Sequence, residues 1–449
     1  MSVTKVKTAG GWVVAAKGTK GDPGDPSSAT ADDIVSDGPS TVQDDLDTLF
    51  SADTSLSAAL AAKLSVTGTK VAGLIPKVQG DLSVAWDTDS TGGGGGGGAV
   101  GDRIFYVYAS GESGATGSYI CDGTADEVQI NNAIAAAAAS NTIGRGTNGG
   151  IVVLVGRRFT IAGPILMKTQ VRLTSMYGEM ATQVRCHSSY APGSGSGMIE
   201  LDTTDVQYVE VDNLTLDGQG YSVCGLFINE GTGQEYDAYH KFHNLYIWNV
   251  GQDGISMQNN SGGRLRGCQL WSIRVINAGR YGCYVNGPDS FYTNIDIGSS
   301  GSHGFYIAHA NNRFFGCKSW YSDGSGYYFT TSSRDNQLTA CESQDNQFHG
   351  YHIQGARNSF AACCADSNSY DGSSGTITGR SYHGFYVAGN YTNVHGTASD
   401  KNEGGRGARQ VYGVQVAAGV TCICNVTTTG NYTGSLSNSG TMSGFVVGT

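Results

Sequence analysis

Proline is scarce in this sequence, seven residues in 449, and only 14% of residues are charged. So few prolines leave backbone N–H groups free for uninterrupted ladders, and so little charge leaves few faces for long solvated helices. No window of about 18 apolar residues occurs, which excludes a spanning helix and predicts no membrane insertion. The N-terminus, Met1-Ser-Val-Thr-Lys-Val-Lys7, has no signal-peptide core, so cytoplasmic synthesis is expected. A net charge of −11, a pI near 5.2 and the lack of any basic stripe argue against nucleic acid or an anionic membrane as the main partner. Glycine, by contrast, is abundant, at 68 residues.

Many of these glycines open one recurring phrase. It reads Gly282-Cys-Tyr-Val-Asn286, Gly304-Phe-Tyr-Ile-Ala308, Gly326-Tyr-Tyr-Phe-Thr330, Gly350-Tyr-His-Ile-Gln354 and Gly384-Phe-Tyr-Val-Ala388. Versions stand upstream at Gly225 and Gly254, and downstream at Gly413 and Gly444, with start-to-start spacings of 29, 28, 22, 22, 24, 34, 29 and 31 residues. Such a period marks a solenoid, since one unit alone cannot bury its apolar face. Each phrase is a short β-branched or aromatic run opened by a glycine that permits a tight turn. A second phrase lies between the glycines, as in Asn336-Gln-Leu-Thr-Ala-Cys341, and ends at a turn carrying Asn249, Asn277, Asn346, Asn368 or Asn402. Asparagine tolerates left-handed backbone, and stacked copies can bond along the solenoid as a ladder. Two or three short strands per turn of the repeat predict an all-β parallel β-helix.

Eleven cysteines raise the question of disulfides. Cys268, Cys317, Cys341 and Cys363 fall in the inward-reading second phrase of their coils, so a stacked column of reduced core thiols is expected. Cys422 and Cys424 have the wrong spacing for a zinc knuckle, and no metal site or cofactor is predicted.

The front of the chain has a different character. Residues 1–26 hold an apolar strand-like piece, Gly11–Ala16, and three Gly-X-Y triplets from Gly18 to Pro26, the pattern of a collagen triple helix. Residues 27–91 contain a heptad seam, Val42, Leu46, Leu49, Leu56 and Leu60, with Asp53 at the skipped position, followed by a small extended region. Both motifs favour a homotrimer. Residues 92–98 are seven glycines, a flexible linker, and 99–449 form the large domain. That domain opens on a predicted amphipathic helix around Ile130 and Ile134, with Asp126 and Glu127 suited to its N-terminus, placed to cover the first coil. The chain ends on the repeat, and the last coil is expected to be covered by trimer mates or another protein.

The segment from Tyr119 to Gly178, including Asp122-Gly-Thr-Ala-Asp-Glu-Val-Gln-Ile130 and Gly150-Ile-Val-Val-Leu-Val155, resembles the opening of the pectate-lyase-like superfamily of right-handed β-helices, a pattern that recurs in bacteriophage tailspikes. The front half resembles minor tail proteins of phages infecting actinobacteria. The resemblance implies a right-handed parallel β-helix on a slender stem, in a trimeric tail fibre or spike of the virion. Its stem would contact other tail proteins, and its partner would be a host cell-surface polysaccharide. The alternatives are a depolymerase (a glycoside hydrolase or polysaccharide lyase acting on that glycan) and a purely structural tail component.

The superfamily includes polygalacturonases. Gly251-Gln-Asp253-Gly-Ile-Ser resembles their GDDCIAI phrase, and Ser302-His303-Gly-Phe-Tyr-Ile resembles GHGISI. Gln252 replaces one carboxylate, and the two phrases lie two coils apart. The catalytic candidates are Asp253, His303, Asp366 and Asp400. His303, His349 and His383 each precede a repeat glycine, at a corner that elsewhere takes Tyr, Ser or Asp. The repeat swells at residues 368–383 and 402–412, and stacked insertions commonly build a binding surface. They carry the glycan-binding candidates Tyr370, Asp371, Arg380, Glu403, Arg406 and Arg409, whose ring, carboxylate and guanidinium groups suit a sugar.

Overall fold

The computed structural model describes residues 104–449 except 114, 116, 141–148, 191–195, 203–205, 231–236, 260–263, 371–380, 401–409 and 449, together with four N-terminal strands. The chain divides into two units, Met1–Asp89 and Ser90–Thr449. In the first, Val3–Thr8 pairs antiparallel with Gly11–Ala16, and Leu74–Val78 with Val84–Thr88. The Gly-X-Y triplets, the heptad seam and the glycine linker lie outside the described residues, as do Asn402, Asp371, Arg380, Glu403, Arg406 and Arg409.

The second unit is a parallel β-helix. Eleven strands, from Ile165–Met167 to Gly434–Asn438, form one sheet, and seventeen form another. The eleven-stranded sheet holds the glycine phrases and is called the first face here. The other sheet carries a column of left-handed residues, part-way along a strand at Asn213, Asn244, Ser272, Asn294 and Ala362 and between two short strands at Gly316 and Ala340. That column folds the sheet into a second and a third face. A further left-handed column, through Asn249, Asn277, Ser299, Tyr321, Asp345 and Ser367, turns the chain from the third face back to the first.

The repeat glycines are needed for space and not for a turn, because none of those from Gly225 to Gly413 takes a positive φ. A Cβ would stand 2.1 Å from Ile297 at Gly282, 1.9 Å from Ser319 at Gly304 and 2.1 Å from Ser343 at Gly326. Only a bare Cα lets the first face close against the third. The phrase at Gly444 departs from the series. Gly444 lies in Thr441–Gly448 on the seventeen-stranded sheet, and the first face continues instead through Gly434–Asn438. Gly434-Ser-Leu-Ser-Asn lacks the β-branched or aromatic run that marks the other copies.

Inside, rings and thiols stack by coil. Phe305, Tyr327, Tyr351 and Phe385 lie 4.7, 4.8 and 4.7 Å apart, matching the spacing of hydrogen-bonded strands. Cys268, Cys317, Cys341 and Cys363 are all buried, as their positions in the repeat predicted. The asparagine ladders form too, one residue past the left-handed position. Asn312, Asn336 and Asn358 accept the backbone N–H of Ser290, Asn312 and Asn336 in turn, at 2.9–3.0 Å. Asn346 and Asn368 serve Ser322 and Asn346 at the third corner.

Helix α1, Glu127–Ala139, buries Ile130, Ala133, Ile134 and Ala137 against the first coil. Its acidic start reaches the sheet edge: Asp126 accepts the N–H of Thr160 at 2.7 Å and Glu127 that of Ala162 at 2.8 Å. These bonds satisfy donors that an uncovered edge would leave open.

Candidate functional site: a tryptophan shelf on the third face

Asp253 and His303 occupy one structural position, the corner just before the repeat glycine. Asp253 is fully buried, takes Arg280 in a two-pronged ion pair at 2.7 and 2.6 Å, and accepts the N–H of Tyr281 at 3.2 Å. His303 accepts the N–H of Ser325 at 2.9 Å, and His349 that of His383 at 3.1 Å. Each side chain thus ties its coil to the next. Burial pushes the pKa of His303, His352 and His383 down to about 4, and that of His349 well below the usual imidazole range. These rings are neutral at physiological pH. Two of them are stacked, His303 on Tyr328 at 4.5 Å and His349 on Tyr386 at 4.9 Å, beside Tyr281 on Tyr306 at 4.5 Å.

Asp366 and Asp400 lie on the third face and its corner. Asp366, 1% exposed, accepts the hydroxyls of Ser367 and Ser399 at 3.0 and 3.1 Å. Asp400 accepts the N–H of Gln410 at 2.7 Å, where the chain returns from residues 401–409. The four catalytic candidates therefore fall at separate places, two along the corner before the glycines and two near the insertions. Each accepts a hydrogen bond within the fold.

A cleft of about 300 Å³ opens on the third face, lined by Arg274, Asp296, Lys318, Trp320, Tyr321 and Gln344. The strand register places it. Arg274, Asp296, Lys318 and Glu342 form one outward column, and Gly298, Trp320, Gln344 and Asp366 the next. Three adjacent atoms of the Trp320 benzo ring lie 2.6, 2.7 and 2.9 Å from where a Cβ of Gly298 would stand. Near-equal distances mean that the ring lies face-down across the glycine, with its other face towards the cleft. Its Nε1 donates to Asp296 at 2.6 Å, which fixes its rotation. Tyr321 meets Trp320 edge to face at 5.5 Å and Tyr370 at 5.3 Å. Tyr370, expected from the insertions, thus joins a wall whose floor the sequence reading missed. The signal was available: aligned coil on coil, Trp320 falls directly beyond Gly298.

A second polar cluster was also missed. Among the described residues, Glu210, Asp212 and His243 are the one group whose His and carboxylate ligand atoms all lie within 4.8 Å of one another. Arg172 bonds Asp212 through Nε and Nη2 at 2.9 and 2.8 Å and lies 3.4 Å from Glu210, supplying the positive charge that a metal ion would bring. His243 stacks on Trp271 at 4.0 Å. The group is an ion cluster in which Arg172 is shared by the two carboxylates.

Residues 224–397 match the family model of the right-handed β-helix region. The fold is the right-handed β-helix. Among solved structures, full-length tailspike protein 2 of an Escherichia coli bacteriophage is similar at 14% identity and a TM-score of 0.54, over 83% of this chain and 49% of that one. The enzymatically active domain of tailspike protein 2 of bacteriophage CBA120 is similar at 14% identity and a TM-score of 0.53, over 83% of this chain and 55% of that one. This chain therefore spans about half the length of those tailspikes. The A-module of a mannuronan C-5 epimerase of Azotobacter vinelandii is similar at 15% identity and a TM-score of 0.49, over 73% of this chain and 94% of that one. No curated protein sequence matches the chain.

Proposed function

We propose that this protein is a tail fibre or tailspike subunit of a phage virion that binds a host cell-surface glycan in the Trp320 cleft. The observation that carries the reading is a half-buried tryptophan laid flat over glycine and lining the cleft, with hydrogen-bonding groups from Arg274, Lys318 and Gln344 around it. A sugar ring presents an apolar face of C–H groups and an equatorial rim of hydroxyls. An indole with polar groups at its edge meets both. The tailspike fold likeness supports the virion setting, and the Gly-X-Y and heptad motifs support a homotrimer attached through its stem. The test is binding of the full chain to purified envelope polysaccharide, compared with Trp320→Ala. Loss of binding with an unchanged circular dichroism spectrum is expected; binding retained by the variant would overturn the assignment.

A depolymerase is the second reading, because Asp366 lies in the Trp320 column, two coils along. Hydrolysis requires an acid and a second carboxylate about 5–10 Å apart. Release of reducing sugar that is lost in Asp366→Asn and kept in Asp253→Asn would establish catalysis at this face.

A further inference from the structure

Resting on the glycan reading above, we infer that the Trp320 cleft takes an uncharged polysaccharide and selects against polyanions. The argument is charge matching inside the cleft. Arg274 and Lys318 are its two cations, and each stands against a carboxylate of the same outward column: Arg274 Nε lies 3.4 Å from Asp296, and Lys318 Nζ lies 3.3 Å from Glu342. Counting Glu342, which stands beside the lining residues and not among them, the four formal charges sum to zero. Asp296 is further committed to Trp320 Nε1, and Lys318 Nζ also donates to Gln344 at 2.8 Å.

A site for uronate or phosphate groups presents unmatched guanidinium or ammonium groups, because charge-assisted and two-pronged bonds to the anion provide much of the affinity. Here a carboxylate or phosphate on the ligand would have to displace Asp296 or Glu342 from its cation, leaving that carboxylate without its partner. The field of the whole chain acts in the same direction, since a formal charge of −11 repels a polyanion before contact. What remains for recognition is independent of ligand charge: the indole face, the Tyr321 and Tyr370 rings, and neutral acceptors and donors such as Gln344. Hydroxyl-rich neutral sugars use all of these.

Matched charges also set how binding responds to salt. Ligation of a polyanion weakens steeply with ionic strength, whereas stacking and hydrogen bonding to a neutral sugar do not.

The experiment is a binding panel with the full chain, its Trp320→Ala variant and its Glu342→Gln variant. The probes are dextran, galactan and arabinan on the neutral side, and polygalacturonate, alginate and poly(glycerol phosphate) on the anionic side. The inference expects Trp320-dependent binding to at least one neutral polymer, changing less than about twofold between low and high salt. It expects Glu342→Gln, which leaves Lys318 unmatched, to increase binding to the anionic probes. Trp320-dependent binding confined to an anionic probe and falling with salt would overturn the inference while leaving the glycan reading intact. Binding to neither class would overturn the glycan reading, and the inference with it.

Discussion

The first and third faces of this β-helix both carry rows of aromatic side chains, and they use them in opposite ways. On the first face, Tyr284, Tyr306, Tyr328, His352 and Tyr386 occupy one outward column at successive coils, and each ring lies against its neighbours, as Tyr284 does on Tyr306 at 5.5 Å and Tyr306 on Tyr328 at 5.3 Å. Ring contacts there hold coil to coil, edge to face where His352 meets Tyr328 and Tyr386. On the third face the coil before Trp320 carries Gly298, and the indole folds down onto it and lines the cleft. A column with a ring at every coil holds its rings against one another. A ring beside a glycine makes a shelf.

Trp320→Ala should break that contrast most strongly. It removes the shelf and should weaken glycan binding by about 30-fold, ~2 kcal/mol, in a titration with envelope polysaccharide. Tyr306→Ala should do the reverse. Losing a half-buried ring from the stack should cost about 2 kcal/mol of unfolding free energy in a denaturant titration and leave glycan affinity unchanged. Gly298→Val tests the shelf from beneath: the added branches occupy the space the indole fills, and lifting the ring should weaken binding about tenfold. Asp253→Asn belongs with the stacking side of the comparison. Arg280 is 45% exposed and rehydrates when its partner is lost, so the expected cost is about 1 kcal/mol of stability with no effect on binding.

The buried histidines of the first face and its corner give the comparison a pH dependence. Burial lowers the pKa of His303, His352 and His383 from 6.5 to about 4. Between those values the unfolded chain binds more protons than the folded one, so stability is complete above about pH 6.5 and is lost as pH falls towards 4. Thermal melts at pH 7 and pH 5 should differ, and His352→Tyr, which replaces the titrating ring with one the column already uses, should narrow the difference.

The solenoid was legible because its period is written in glycine and β-branched residues, and the helix before the first coil because Ile130 and Ile134 share a face. The purpose of the glycines was not legible. A turn glycine and a glycine with no room for Cβ read alike until Ser319 is seen 1.9 Å from the position at Gly304. Polygalacturonase-like phrases directed attention to Asp253 and His303, which the structure shows bonded to Arg280 and to a backbone N–H of the adjoining coil. Motif resemblance along the chain does not reveal which partners burial assigns. Trp320 was passed over for a complementary reason: its significance depends on Gly298, 22 residues earlier, and appears only when the coils are laid in register. Tyr370 was named from the swelling of the repeat, and the structure sets its ring against Tyr321.

The most direct test of the account is a parallel titration of envelope polysaccharide into the native protein, Trp320→Ala and Tyr306→Ala, with the unfolding free energy of each measured alongside. The account predicts that Trp320→Ala loses affinity and keeps its stability, while Tyr306→Ala loses stability and keeps its affinity. Affinity lost in Tyr306→Ala and retained in Trp320→Ala would contradict it, and would move the binding surface to the first face.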